Sequence, residues 1–469
     1  MHSTKRFPFS LSVLTTMVVM LSILAGTFAF RENASATNAS TSQSYHQHIV
    51  GAQPFWQEAV DANKGILPCT NSPVIPRCYS PQQIRSIYNI QPLLNAGITG
   101  KGRTIVIIDA YQDPNIRTDL RLYDKIFGLP DPTLNIFAPF GLTPFNPQDP
   151  TAVDSATEIA LDVQSAHSIA PNATIDLVLA NVDFAKSTET QDATALLKAT
   201  KFAIDNNLGD TISQSFGLDE TCVSSAYLQA QHAAFEEARN KHITVFASSG
   251  DSGAAGNICK GSSTTLGRGI QVPEADPLVT SVGGTRLNAN AKGTSYVSES
   301  VWNDSSVSLP AGNTASSGGF SVIYPRPAYQ NGVAGIGAGR ATPDVAYNAD
   351  NLTGVPIVLT LGRASVIVPI GGTSAGSPQW AGIIALADQL AGKRLGFINA
   401  SLYRIYKSYA YSSNFHDVTV GNNSYSFKDP KTGKGVTIPG YNAGPGWDPC
   451  TGIGSPKVTP LAKLLVKYS

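Results

Sequence analysis

Residues 152–180 read AVDSATEIALDVQSAHSIAPNATIDLVLA, and the fold follows from this stretch. Apolar residues recur at helical spacing from Ala152 to Ile169, and Thr174 to Ala180 is a compact apolar, β-branched run of the kind buried in a sheet. The same alternation extends in both directions. Strands are expected at Thr104 to Asp109, Thr211 to Ser215, Ile243 to Ser248 and Leu278 to Val282, with helices at Asn115 to Phe127, Thr188 to Asn206 and Ser224 to Lys241. Strand and helix in repeated alternation predict an α/β protein with a mostly parallel sheet and helices on both faces. Chemistry on such a sheet gathers outside the carboxyl ends of the strands, so the residues just after each strand carry the most information.

Composition narrows the function classes. The chain has 469 residues, 33 Lys and Arg against 33 Asp and Glu, and 14% charged residues, against about 25% in an ordinary globular protein. A basic nucleic-acid surface is excluded on that balance. At 42% hydrophobic the chain can bury a large core, and 42 Gly with 30 Pro exclude a coiled coil and require many turns and loops.

Lys5 and Arg6 precede an uncharged stretch from Phe7 to Phe30, followed by the small-residue site Ala34-Ser35-Ala36. Residues 1–36 read as a secretory signal peptide; the alternative is an uncleaved anchor, because the stretch is long enough to span a bilayer. Cleavage would leave a secreted, extracellular protein with no membrane attachment. Residues 37–78 are polar and then Pro-rich, and read as a leader or linker; 79–469 read as one domain.

Five cysteines fit an oxidising compartment. Cys69 pairs most simply with Cys78 and Cys222 with Cys259, leaving Cys450 as a buried free thiol, although sequence alone does not fix connectivity. From about Gly283 to Val368 the chain is rich in Gly, Ser, Pro and Asn and reads as a loop-dominated elaboration. Helices resume near Ser374 to Leu390 and Ile398 to Ser408, and His416 to Gly454 is again Gly-rich.

Three segments carry chemistry. In Glu158-Ile159-Ala160-Leu161-Asp162 two acids four residues apart share one helix face; apolar neighbours flank them, and no Lys or Arg occurs from Ala152 to Ile175. Unpaired acids in so apolar a helix suit a tuned acid/base pair better than a solvated surface. Gly371-Gly372-Thr373-Ser374-Ala375-Gly376-Ser377-Pro378 puts Ser374 at the start of an apolar helix, where the dipole and free N–H groups suit a nucleophile, although taken alone the position reads more simply as an ordinary N-cap. Phe246-Ala247-Ser248-Ser249-Gly250-Asp251-Ser252-Gly253 sets Asp251 in a turn after an apolar strand.

The Gly-Thr-Ser-x-x-x-Pro pattern resembles the nucleophile segment of subtilisin-like peptidases, but none of the seven His is followed by Gly, so the His-Gly-Thr base of the subtilisins is missing. With the two acidic segments, the chain instead resembles the sedolisins, the acid-active serine-carboxyl peptidases. The resemblance runs from Tyr79 to the C-terminus through Ser281-Val282-Gly283-Gly284-Thr285, Ser317-Gly318-Gly319-Phe320-Ser321, Thr342-Pro343-Asp344-Val345-Ala346 and Gly444-Pro445-Gly446-Trp447-Asp448. It implies a subtilisin-like core, with Ser374 as nucleophile and Glu158 as general base. Asp162 would hold and polarise Glu158, while Asp251, protonated, would donate to the oxyanion. A base and a neutral acid of this kind both require acid pH. Two positions depart from the family pattern. Asp109 stands where a further Glu is usual, and Phe216 where a Trp is usual, so the extension of the network loses a hydrogen-bond donor. The family's long folded propeptide also has no counterpart of similar length in 37–78.

The resemblance further implies one structural calcium ion held by the side chains of Asp417 and Asp448 and the carbonyls of Val418, Gly444 and Gly446. Two carboxylates and carbonyls in a glycine-permitted loop suit a hard cation. The expected partners are protein or peptide substrates acting on a monomer. The expected activity is endopeptidase, with a tripeptide-releasing exopeptidase and a catalytically silent binding protein as the other readings.

Overall fold

The computed structural model describes residues 54, 59–63, 67–183, 186–306, 313–429 and 432–468. The expected signal peptide lies outside them. Among the described residues no helix is long and apolar enough to cross a membrane.

The alternation of strand and helix forms as its pattern requires. β1 (Thr104–Ala110), α1 (Ile116–Phe127), β2 (Leu134–Phe137), α2 (Pro150–Ile169), β3 (Thr174–Ala180), α3 (Glu189–Asp205), β4 (Thr211–Gln214), α4 (Ser225–Asn240), β5 (Thr244–Ser248) and β6 (Thr280–Ala289) follow in chain order. Further on come β7 (Tyr296–Val301), β8 (Val345–Asn348), β9 (Val355–Leu361), β10 (Ala364–Ile370) and α5 (Thr373–Ala391). The central sheet has eight strands: the order is β7-β6-β5-β4-β1-β3-β2, and β8 also pairs with β6. All its pairings are parallel except β6 with β7.

Side-chain alternation along β1 explains the layers. Ile105 and Ile107 join a core with Ile159, Val163 and Ile383 from α2 and α5, whereas Val106 and Ile108 join Leu196, Ala199 and Phe235 from α3 and α4. A strand buried on both faces needs apolar residues at every position, which is why β1 lacks a polar alternation.

The segment 283–368, expected to be loop-dominated, instead carries much regular structure. It contains most of β6, then β7, Gly319–Pro325, Gly339–Thr342, β8, and the β9/β10 hairpin. Two physical features hide it. β8 is only four residues long, and Pro356 and Pro369 face one another across the hairpin, a residue type that ordinarily argues against a strand.

Of residues 37–78, the described part is bound to the core. Val60–Asp61 pairs antiparallel with β10, and buried Arg77 donates to the carbonyls of Ala289, Asn290 and Ala291. The disulfides are Cys69–Cys78 and Cys222–Cys259, and Cys450 is a buried free thiol.

Candidate active site

Strand order creates the site. β1 lies between β3 and β4, and the chain leaves it toward β2 and β3 on one side before returning to β4 on the other. Loops at the carboxyl ends of β1 and β4 therefore diverge and open a crevice. Asp109 stands at the end of β1, and Ser215 directly follows β4.

Two parallel helices bring the remaining groups to that edge. Glu158 and Asp162 of α2 gather with Asp109, since Glu158 acts on the ionisation of both aspartates and Asp109 on that of Asp162, while Ala170 beyond the end of α2 packs against Gly100 ahead of β1. α2 thus runs from the carboxyl edge of the sheet to its amino edge. α5 runs the same way: Ser377 Oγ is 2.8 Å from Ser213 Oγ, and Gln389 near its end accepts from the Thr99 and Gly100 N–H groups at 2.8 and 2.7 Å. The helices touch where Gly382 meets Ala166 and Ile169. Ser374 lies eight residues before that contact, and Glu158 eight before Ala166 and eleven before Ile169, so at about 1.5 Å per residue the two stand within a helical turn of one level on adjacent helices.

Burial tunes the acids. Asp109 and Asp162 are 3% and 0% exposed. Burial pushes both carboxyls well above the ordinary range, and like charge adds to it: Glu158 acts on Asp109, and Asp109 and Glu158 act on Asp162. The Ser215 hydroxyl eases the shift on Asp162, at a geometry short of a closed hydrogen bond, since both Asp162 oxygens and Ser215 Oγ lack one. Acids packed this closely hold protons that separated acids would release.

The Asp251 turn meets the start of α5. Asp251 Oδ1 accepts from the Thr373 N–H at 2.9 Å and the Thr373 hydroxyl at 2.7 Å, and Thr373 Oγ1 accepts from the Gly250 N–H at 3.0 Å. Oδ2 is shut off from solvent and has no hydrogen-bond partner. Parts of the residue remain accessible, but the enclosed carboxyl is pushed up to about 6 by burial, against the lowering effect of the two Thr373 bonds. Gly372, just before Thr373, has φ 116°, a conformation that favours glycine and lets the chain turn sharply from β10 into α5. Its turn is fixed from behind, where the Gly371 N–H donates to Asn351 Oδ1 at 3.0 Å.

The structure therefore gathers Glu158, Asp162 and Asp109 into one acidic cluster and joins Asp251 to the residue preceding Ser374. Phe216 is buried in the core beneath α3 and α4. Thr373, Ser215 and Asn351 were not singled out from the sequence; only Thr373 had a signal, its place beside Ser374.

The residues expected to bind calcium converge on one turn. The Gly446 N–H donates to both Asp417 oxygens at 3.1 and 3.0 Å, and the Gly444 N–H donates to Asp448 Oδ2 at 3.3 Å. Asp448 Oδ1 also accepts from the Cys450 and Thr451 N–H groups, and burial raises its carboxyl to about 6. Val418 is buried beside Asp417. Among the described residues, no group of three or more His, Cys, Asp and Glu gathers as a metal site, so a cation here would draw most of its oxygens from carbonyls.

A three-acid cluster and a helix-start serine thus stand at the carboxyl edge of a mostly parallel sheet with helices on both faces, and known proteins share this architecture. The chain is 34% identical over 391 residues to kumamolisin of Bacillus sp. (strain MN-32), covering 81% of this chain and 62% of that protein. It is 33% identical over 276 residues to sedolisin of Pseudomonas sp. (strain 101), covering 58% of this chain and 43% of that protein. A human tripeptidyl-peptidase 1 is 31% identical over 272 residues, covering 54% and 42%. In structure, the chain resembles Pseudomonas sedolisin, described as a serine-carboxyl proteinase complexed with two molecules of pseudo-iodotyrostatin. The TM-score is 0.68 at 27% identity, over 83% of this chain and 98% of that one. No protein-family model matches. These similarities support the sedolisin family for this chain, which spans less than two thirds of the length of these curated relatives.

Proposed function

We propose that this chain is a secreted, acid-active serine-carboxyl endopeptidase. Ser374 Oγ attacks the scissile carbonyl carbon as Glu158 takes the hydroxyl proton; Asp162 holds Glu158 and shares the burden of charge. Asp251 Oδ2–H donates to the tetrahedral oxyanion. Collapse returns the proton to the leaving amine and leaves an acyl-enzyme on Ser374, which water, deprotonated by Glu158, then hydrolyses.

The observation carrying this reading is the orientation of Asp251. One carboxyl oxygen is saturated by Thr373, and the other is enclosed, with no hydrogen-bond partner among the described residues, on a carboxyl pushed up to about 6, so that in acid it carries a proton not already committed to an acceptor. The family relatives and the acidic cluster level with Ser374 support it. The match to tripeptidyl-peptidase 1 keeps a tripeptide-releasing action as a second reading.

Asp417 and Asp448 side chains, with the Val418, Gly444 and Gly446 carbonyls, would hold the structural calcium. Both acids converge on one turn, and neither forms an ion pair among the described residues. The bound ion would supply charge neutralisation that fixes this loop, with no part in bond cleavage. Two disulfides support export to an oxidising compartment, and zero net charge argues against nucleic acid as partner.

Digestion of a denatured protein and a peptide library from acid to neutral pH, read by mass spectrometry, tests the proposal. Internal cleavage in acid, absent in Ser374→Ala, supports it. Release of tripeptides alone favours the second reading, and no Ser374-dependent cleavage at any pH rejects both.

A further inference from the structure

We infer that Thr373 is a positioning residue that decides which oxygen of Asp251 carries the proton. The inference rests on the proposed role of Asp251 as oxyanion donor and names the group that makes that role directional.

The argument begins with donors and acceptors. A threonine hydroxyl has one proton to give, and Thr373 Oγ1 already accepts from the Gly250 N–H at 3.0 Å. The Thr373 hydroxyl proton then points at Asp251 Oδ1, 2.7 Å away, and the Thr373 N–H reaches the same oxygen at 2.9 Å. An oxygen that accepts two hydrogen bonds is a poor place for a third proton. Oδ2 has no partner and lies out of solvent, so the neutral acid carries its proton there. With two equivalent oxygens, half of the protonated molecules would aim the donor wrongly; Thr373 removes that degeneracy.

The same bonds couple turn and nucleophile. Thr373 is the first residue of α5 and Ser374 the second, so the group that orients Asp251 is covalently joined to the group that attacks. On its other side the Asp251 turn is held by the segment 315–317, where the Ala315 N–H donates to Asp251 O at 2.9 Å, the Ser317 N–H to Gly250 O at 2.9 Å, and the Ser252 N–H to Ser317 Oγ at 3.1 Å. These bonds fix the backbone and leave the carboxyl free to rotate. Among the described residues, Thr373 supplies the hydrogen bonds that hold the carboxyl.

Among the described residues Tyr425 on a neighbouring element feels the Asp251 carboxyl: its hydroxyl is raised mainly by burial, with a smaller contribution from Asp251. The segments 313–317 and 371–377 contain no charged side chain. The two Thr373 bonds stabilise the ionised carboxylate, so loss of the hydroxyl bond raises the Asp251 pKa.

The test compares Thr373→Val, which keeps shape and backbone N–H but removes the hydroxyl, with Thr373→Ser, which restores it. In peptide hydrolysis, Val should lower kcat by about 10-fold or more at acid pH with KM little changed, short of the roughly 100- to 1,000-fold loss of a whole oxyanion donor, and should move the alkaline limb to higher pH. Ser should return both to near wild type. In parallel, the protonated carboxyl stretch of Asp251, assigned with Asp251→Asn, is followed by infrared titration in a Ser374→Ala background. It should persist to higher pH in the Val variant, and this readout stands even if the chain hydrolyses no peptide. Val and Ser behaving alike, or a Val variant with an unmoved limb and an unmoved infrared titration, overturns the inference. Should Val not fold, a Ser variant with wild-type rate but a displaced infrared titration overturns it equally.

Discussion

Gly382 of α5 lies so close to Ile169 of α2 that a Cβ built on it would stand 2.9 Å from the Ile169 Cβ, nearer than side chains pack. This contact sets the spacing of two parallel helices whose other ends carry Ser374 and Glu158. A bulky residue there would wedge the helices apart and disturb Ser374 and Glu158, the proposed nucleophile and base, from a distance. Gly382→Val should destabilise the fold by about 1–3 kcal/mol through overpacking, and reduce turnover on the order of 100-fold through misplacement of about 1 Å. Melting curves and kcat measured on the same preparations check this; wild-type turnover in a destabilised protein would show that helix spacing does not govern the site.

Ser374→Ala should abolish turnover and keep the fold, because no other nucleophile is offered to the acyl group. Glu158→Gln and Asp162→Asn should each cost several orders of magnitude, and the double variant little more than either alone, since the acids act as one unit. A double-mutant cycle in kcat/KM gives the answer, and multiplicative losses would separate the two residues.

Asp251→Ala should lower turnover by roughly two to three orders of magnitude, about 3 to 4 kcal/mol, through loss of one oxyanion donor. Its carboxyl titrates at about 6, so the donating form disappears as pH rises through that value. Asp251→Asn keeps an N–H donor that does not titrate, so its deficit relative to wild type should shrink toward neutral pH. Rate profiles for the three proteins, taken where circular dichroism shows them folded, decide the matter.

Acid should also stabilise the fold. Burial raises Asp113 to about 7, Asp119 to about 6, Glu274 to about 8 and Asp388 to about 7. An unfolded chain releases these protons near pH 4, whereas the folded chain retains them until pH 6 to 8. Between those limits the folded state binds more protons, so stability falls as pH rises. His416 works the other way, since burial lowers it to about 4 and its stabilising effect is lost as pH falls below about 6.5. The acids outnumber it, and Tm should be higher near pH 4.5 than at pH 8. An equal or higher Tm at pH 8 would contradict this balance.

Removal of the proposed calcium by a chelator should lower Tm and expose the region 421–448 to proteolysis, because a ligand of the folded loop alone stabilises it by mass action. Asp448→Ala should reproduce the effect, and an unchanged melting curve after verified metal removal would reject the ion. The loop backs the catalytic turn, for the Ala254 N–H donates to Asn423 O at 2.8 Å, so reduced activity should accompany its loosening.

Local pattern was enough to read the parallel sheet, because strands buried on both faces and the helices between them declare themselves in apolar spacing. The Glu158 and Asp162 pair was legible for the same reason, since four residues on a helix is one turn. The disulfide partners and Ser374 at its helix start were also readable. Hidden were the strands of 283–368, where short length and opposed prolines erase the periodic signal, and every relation between distant segments. That Asp109 faces Glu158, that Asn351 supports the nucleophile turn and that Thr373 saturates one oxygen of Asp251 depend on strand order and on two helices running side by side. Sequence specifies which groups can ionise or donate; only packing removes water from around them and turns one oxygen of a symmetric carboxyl toward two donors, because desolvation and hydrogen-bond direction are properties of three-dimensional neighbours.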